Sequence, residues 1–163
     1  MHASPSIRTV TPEDFAQWRV LWDGYNAFYG RSGPTALAPE ITAMTWARFF
    51  DAYEPVHAMV AEKDGQLLGL VHYLFHRNTA MIGPTCYLQD LFTNETARGA
   101  GVGRALVDAA LDAARARGAA RIELDTNETN TGAIALYERA GFSASSKTHA
   151  HLSGRDVFMG RKL

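Results

Sequence analysis

"ETARGAGVGRAL", residues 95–106, is the stretch on which the reading of this chain turns. Gly99, Gly101 and Gly103 fall within five residues, flanked by Arg98 and Arg104 and followed by an Ala-rich run. Glycine beside or inside a helix costs roughly 1 kcal/mol relative to alanine, so three of them signal a need for bare backbone. Ahead of them "CYLQDLFT" reads as a strand; behind them Leu106, Ala110, Leu111 and Ala114 recur at helical spacing up to a stop at Gly118. A strand that feeds a glycine-rich turn and a helix N-terminus makes an anion site, because the first helical N–H groups lack acceptors and the helix dipole favours negative charge. With two arginines to add charge-assisted bonds, a diphosphate suits it.

The spacing decides which diphosphate. A dinucleotide fingerprint needs a third glycine where this chain has Arg104, and the phosphate loop G-x-x-x-x-G-K-[ST] is absent. Glu123 and Asp125 lie near the distance at which a ribose-binding acid is sought, but they alternate along a strand, where a solvated face accounts for them. NAD-dependent redox chemistry is therefore disfavoured.

Around this stretch the chain is of ordinary composition. Its 163 residues fit one domain, 1–163, with 47% apolar and 20% charged residues and a net charge of −1. That balance excludes a general nucleic-acid binder, which carries a basic stripe. One cysteine, Cys86, rules out an internal disulfide and a Cys-based zinc cluster. "MHASPSIRTV" has no apolar leader and no stretch nears the ~20 apolar residues of a membrane span, so a cytoplasmic protein without membrane contact is expected.

The rest parses into alternating elements. "SIRTV" reads as a strand; Thr11-Pro12-Glu13-Asp14 starts a helix that carries Phe15, Trp18, Leu21, Trp22 and Tyr25 at helical spacing. Trp18, Trp22 and Phe28 are expected in the core. A second helix from near Glu40 is expected to turn Met44, Ala47 and Phe50 to one face. Asp64-Gly65 between two β-rich runs reads as a tight hairpin. "RIELDT" reads as a strand, "NTGAIALYERAG" as a short helix with Asn130 as a candidate N-cap and Gly141 past its end, and "HLSGRDVFMGRKL" as one or two final strands. The order β, α, α, β, β, β, α, β, α, β, β gives a mixed α/β fold.

Arg98, Gly101 and Gly103 meet the pattern Arg-x-x-Gly-x-Gly, and here the sequence resembles the GNAT superfamily of acyl-CoA-dependent N-acetyltransferases. "CYLQDLFTNETARGAGVGRALV" with "ETNTGAIALYERAGF", supported by "GLVHYLFHR" and "LWDGYNAFYG", is most similar to its small histone- and polyamine-acetylating members and their bacterial relatives. The resemblance implies a mostly antiparallel twisted sheet, splayed after the fourth strand and flanked by about four helices. It implies acetyl-CoA as cosubstrate, with no metal. The diphosphate is then expected on the amides of Arg98, Gly99, Ala100, Gly101, Val102, Gly103 and Arg104. The pantetheine arm is expected along the edge of Leu91, Phe92 and Thr93, as an added strand. Asn130 matches a pantetheine contact, and can cap its helix as well. Tyr137 matches the acid that protonates the departing thiolate. A homodimer is expected by the same analogy, and the expected acceptor is the primary amine of a polyamine-like small molecule or of a protein lysine. A non-catalytic CoA-binding or sensory module of the same fold is the alternative.

The base is less determined. A primary amine of pKa about 10.4 is only ~1 part in 2,500 neutral at pH 7, a handicap of roughly 4.6 kcal/mol. The polyamine-acetylating relatives carry Glu-Asp where this chain has Gln89-Asp90, and Gln89 cannot take a proton. Asp90, as base or orienting group or in a structural salt bridge, His72, and a water chain all stay open. Gln89 and Asp90 face opposite sides of a regular strand. His72 and His76 share a face but lie about 13 Å apart, too far to hold one metal. Cys86, with no base beside it, reads as a buried apolar residue. As in the relatives, the acceptor is expected over the first two helices and their connecting loop, where Asp23, Tyr25, Tyr29 and Glu40 suit a cationic amine, with His72 and Gln89 as further wall residues.

Overall fold

The computed structural model describes residues 4–144 and 156–163. Strand β1 (Ser6–Thr9) leads through a 3-10 turn into α1 (Phe15–Phe28) and then α2 (Pro39–Arg48). β2 (Val56–Lys63), β3 (Gln66–His76) and β4 (Thr85–Thr93) follow, then α3 (Val102–Ala116), β5 (Arg121–Asn127), α4 (Thr131–Arg139), β6 (Ser143–Ala144) and β7 (Asp156–Lys162). This is the element order expected from the sequence, except that β6 lies ahead of the tail 151–163 in which the final strands are expected; residues 151–155 of that tail lie outside the described residues. The strands form one seven-stranded sheet in the order β1-β2-β3-β4-β5-β7-β6. β1–β2, β5–β7 and β6–β7 are antiparallel, whereas β4 runs parallel to β5. That parallel register pairs Thr85–Tyr87 with Arg121–Glu123, and β4 continues to Thr93.

The chain clusters into two compact units. The first, Met1–His72 with Asp90–Leu106, is built on an aromatic core. Trp18, Leu21 and Trp22 of α1 bury against Val10, Ala58, Val60, Leu67 and Leu70, joined by Tyr25, Leu37, Trp46, Phe49 and Phe92. Trp18 stacks on Trp22 (centroids 5.7 Å apart) and meets Trp46 at a 40° tilt (4.7 Å). The entry to α1 is fixed electrostatically: the Arg8 guanidinium donates to both Asp14 oxygens at 2.7 and 2.9 Å, while the Thr11 N–H donates to Asp14 at 2.8 Å. Arg8 thereby holds the Asp14 carboxyl below the usual carboxylate range, against the opposing effect of its burial.

One expectation for this unit fails. Phe28 is 57% exposed rather than buried, because α1 ends there and its apolar stripe has already closed at Tyr25 and Asn26. Met44 and Ala47 of α2 and Phe50 just past its end share one face as expected, and it is the face toward solvent; Thr42, Trp46 and Phe49 make the inward side. Thr42 turns inward because its hydroxyl accepts from the Trp22 indole N–H at 3.2 Å, a polar partner that apolar periodicity cannot reveal.

The second unit, Tyr73–Gln89 with Val107–Leu163, buries Leu88, Leu111, Ile122, Leu124, Phe142, Phe158 and Met159. Glu123 and Asp125 are not a solvated face. The first pairs with Arg121 at 2.6 Å and the second accepts from the Tyr87 hydroxyl at 2.7 Å.

Candidate active site

The glycine stretch forms in this way. After β4, Asn94 donates its N–H to the Leu68 carbonyl at 2.8 Å, and a 3-10 turn over Glu95–Ala97 buries Ala97. Residues 98–101 then turn, with Gly99 at φ 78° and Gly101 at φ 80°, the left-handed region that costs other L-residues of order 1 kcal/mol or more. A Cβ at either glycine would meet nothing within 4 Å, so both backbones face open space. Val102, 1% exposed, pins the start of α3, and the first helical ring closes from the Ala105 N–H to the Gly101 carbonyl at 3.0 Å. The amides ahead of that bond have no acceptor within the helix by the geometry of any helix N-terminus. Arg98 donates from Nε to the Thr93 carbonyl at 3.3 Å and lies 5.9 Å from the Phe92 ring centroid, and Arg104 is exposed on the first turn. The stretch 98–104 therefore joins conformationally permitted bare backbone, a helix dipole and two cations.

Immediately before it on β4, Gln89 is exposed and Asp90 is 8% exposed. Asp90 belongs to a buried chain of polar groups. Its carboxylate lies 2.9 Å from His72 Nδ1 and accepts a hydrogen bond from the Tyr25 hydroxyl. The Trp18 indole N–H reaches His72 Nε2 at 3.0 Å. An indole N–H can only donate, so Nε2 accepts, the proton of the neutral imidazole sits on Nδ1, and Nδ1–H donates to Asp90. With both nitrogens engaged, His72 has no free lone pair with which to act as the base. Burial, then the neighbouring Asp90 charge, pushes the Tyr25 phenol well above the ordinary tyrosine range.

The acceptor-side residues divide. Tyr25 stacks on Trp22 (5.4 Å, 9° between planes) and belongs to the Asp90 chain. Tyr29 is 43% exposed beside it, 5.0 Å between centroids. Asp23 is instead occupied by Arg19 one turn earlier at 2.8 Å, and Glu40 is exposed on the first turn of α2. α1 lies directly on the strand end, since a Cβ at Gly24 would come within 2.8 Å of the Phe92 ring.

In the second unit, Tyr137 is 6% exposed on α4 beside Phe142, 5.8 Å between centroids. Asn130 opens that helix through its carbonyl, which accepts from the Ile134 N–H at 3.0 Å; its side chain makes no capping bond, contrary to the capping reading. Cys86 is fully buried and desolvation pushes its thiol up to about 12, which leaves it unreactive. Among the described residues no group of three or more His, Cys, Asp or Glu is placed to hold a metal, and no helix is long and apolar enough to cross a membrane.

Sequence reasoning missed Trp18 as a hydrogen-bond donor, the Tyr25–Asp90 contact, and Asn26 with Arg31. Asn26 carried a signal: it is a polar residue four positions after Trp22 within a helix face that is otherwise buried.

Comparison with known proteins accords with this geometry. The profile described as "Acetyltransferase (GNAT) family" matches residues 18–142. D-amino-acid N-acetyltransferase HPA3 of Saccharomyces cerevisiae is 29% identical over 138 residues, 83% of each chain. The uncharacterized N-acetyltransferase YhfO of Bacillus subtilis is 30% identical over 137 residues, 84% of this chain and 89% of that one. In fold, the PaiA N-acetyltransferase of Thermoplasma acidophilum, solved in complex with coenzyme A, superposes with a TM-score of 0.72 at 16% identity, covering 99% of this chain and 100% of the other. The chain belongs to the GNAT family, whose members transfer acetyl groups from acetyl-CoA to amines.

Proposed function

We propose that this protein transfers acetyl from acetyl-CoA to the primary amine of a small molecule or a lysine side chain by direct attack. The observation that carries the reading is the 98–104 loop: left-handed glycines with open space before them, at a helix N-terminus that follows a strand. In this reading the loop amides with Arg98 and Arg104 take the diphosphate. The backbone of Leu91, Phe92 and Thr93 pairs with the pantetheine amides, and one of its N–H groups holds the oxyanion as the carbonyl becomes tetrahedral. The relative solved with coenzyme A supports that choice of cosubstrate.

The amine nitrogen attacks the thioester carbon, the C–S bond breaks, and Tyr137 gives its proton to the leaving thiolate. A thiol of pKa near 8.5 leaves readily, so the acid assists without being indispensable. The amine's own proton leaves to water or Asp90, since both His72 nitrogens are engaged. Asn130 is assigned to the pantetheine arm; its side chain makes no capping bond that would compete. A homodimer completes the reading by family analogy, and a reducing, cytoplasmic compartment follows from the single cysteine.

The test is thiol release from acetyl-CoA across a panel of primary amines, for wild type and Tyr137→Phe. The variant is expected to lose about tenfold or more in kcat with CoA affinity retained. Unchanged turnover removes Tyr137 from catalysis, and no thiol release by the wild type with any amine, CoA still binding, favours the sensory alternative.

A further inference from the structure

Arg31 stands where α1 gives way to the α1–α2 loop, and it is held in place. Its N–H donates to the Asn26 carbonyl at 2.9 Å, and Nε donates to the Asn26 side-chain oxygen at 2.7 Å. Asn26 is 4% exposed and is itself fixed by donating to the Trp22 carbonyl at 2.8 Å. The guanidinium lies 5.8 Å from the Tyr25 ring centroid and 5.6 Å from that of Tyr29. A flexible cation has thus been turned into an oriented one, with its two terminal nitrogens directed away from the Nε–Asn26 bond.

Its charge is not neutralised. Arg8, Arg19, Arg48 and Arg121 each face a carboxylate. Arg31 forms no ion pair among the described residues, and residues 1–3 and 145–155 contain no Asp or Glu that could supply one. The ring it covers is the one whose hydroxyl donates to Asp90, next to Leu91 on β4. One phenol therefore separates an oriented guanidinium from the strand end assigned to the thioester. Meanwhile Asp23, one of the acids expected to attract a cationic amine, is already satisfied by Arg19.

We propose that Arg31 binds a carboxylate of the acceptor, so that the preferred substrate is a small amine that also carries a carboxylate, an amino acid rather than a polyamine. A planar guanidinium with a free two-nitrogen edge matches a carboxylate bidentately, and it repels a second ammonium group. This inference rests on the acetyl-transfer reading and on the acceptor lying over α1 and its following loop.

The test compares amino acids with their carboxamides, and with spermidine, as acceptors in the thiol-release assay, using wild type, Arg31→Lys and Arg31→Gln. Wild type is expected to favour each acid over its amide by about tenfold or more in kcat/KM. Arg31→Gln should abolish that acid-to-amide ratio, chiefly through KM for the acid, and Arg31→Lys should keep part of it through its charge alone. The KM for acetyl-CoA should stay within about twofold in both, since no diphosphate contact is assigned to Arg31. Amides or spermidine used as well as the acids, or a ratio unchanged in Arg31→Gln, overturns the carboxylate assignment and leaves acetyl transfer standing. No thiol release with any amine overturns both. A merely structural role for Arg31 would lower acid and amide turnover together and leave their ratio where it was.

Discussion

Between Arg98 and Arg104 the chain presents backbone; from Trp18 through His72 to Asp90 and Tyr25 it presents side chains. The loop is local: three glycines, a buried Val102 and the start of α3 define it within a few positions. The polar chain is assembled from α1, β3 and β4, with Trp18 and His72 separated by 54 residues and His72 and Asp90 by 18. The first is open and built for something that is not protein. The second is closed, each donor matched to an acceptor. A site can thus be carved from missing side chains in one place and braced by fully satisfied ones in another, and the two should fail differently.

The largest expected effect on stability comes from breaking the closed chain. His72→Leu strands the Trp18 indole N–H and removes a donor from Asp90, and at about 1–3 kcal/mol for each group left unsatisfied the cost should be about 3 kcal/mol by chemical denaturation. Affinity for CoA should be kept in the variant while it is folded. Equal loss of both would erase the distinction between the two regions.

A smaller effect is expected at the start of α1. Asp14→Asn should cost about 1–2 kcal/mol at neutral pH, discounted because the Arg8 side chain is 35% exposed. The folded carboxyl is held below its unfolded value, so its contribution is present above the unfolded pKa and is lost as pH falls through the folded one. Denaturation midpoints of wild type and variant should therefore be well separated at pH 6 and converge below about pH 4. A gap independent of pH would assign Asp14 a packing role instead.

The smallest effect belongs to a pair that the fold leaves in water. Asp23→Ala removes an i,i+4 partner of Arg19, with side chains 58% and 43% exposed, and should cost about 0.3–0.5 kcal/mol. Its KM for an amino-acid acceptor should be unaltered, since Arg19 already occupies the carboxylate. A marked rise in KM would return Asp23 to the acceptor site.

The fold was legible because its signals are short in sequence. Positive φ at Asp64 (52°) and Gly65 (76°) is what an Asp-Gly hairpin turn requires, and the order of strands and helices follows from periodicity and breakers. The loop was legible for the same reason, since a cluster of glycines costs enough to need a purpose. What escaped depended on pairing at a distance. Nothing near His72 tells that its Nε2 meets Trp18, nor near Thr42 that Trp22 waits for its hydroxyl. Arg31 escaped because an arginine in a Gly- and Pro-containing loop looks solvated until Asn26 is seen to hold it.

The central claim is that bare backbone at 98–104 grips coenzyme A, and isothermal titration of wild type and Gly101→Val with CoA tests it most directly. A β-branched residue at φ 80° is strained by of order 1–3 kcal/mol, and its side chain projects into the open space before the amides. Wild type should bind one CoA per chain with measurable heat, and the variant should bind about a hundredfold more weakly or not at all. A wild type that gives no heat, or a folded variant that binds as tightly as wild type, contradicts the account.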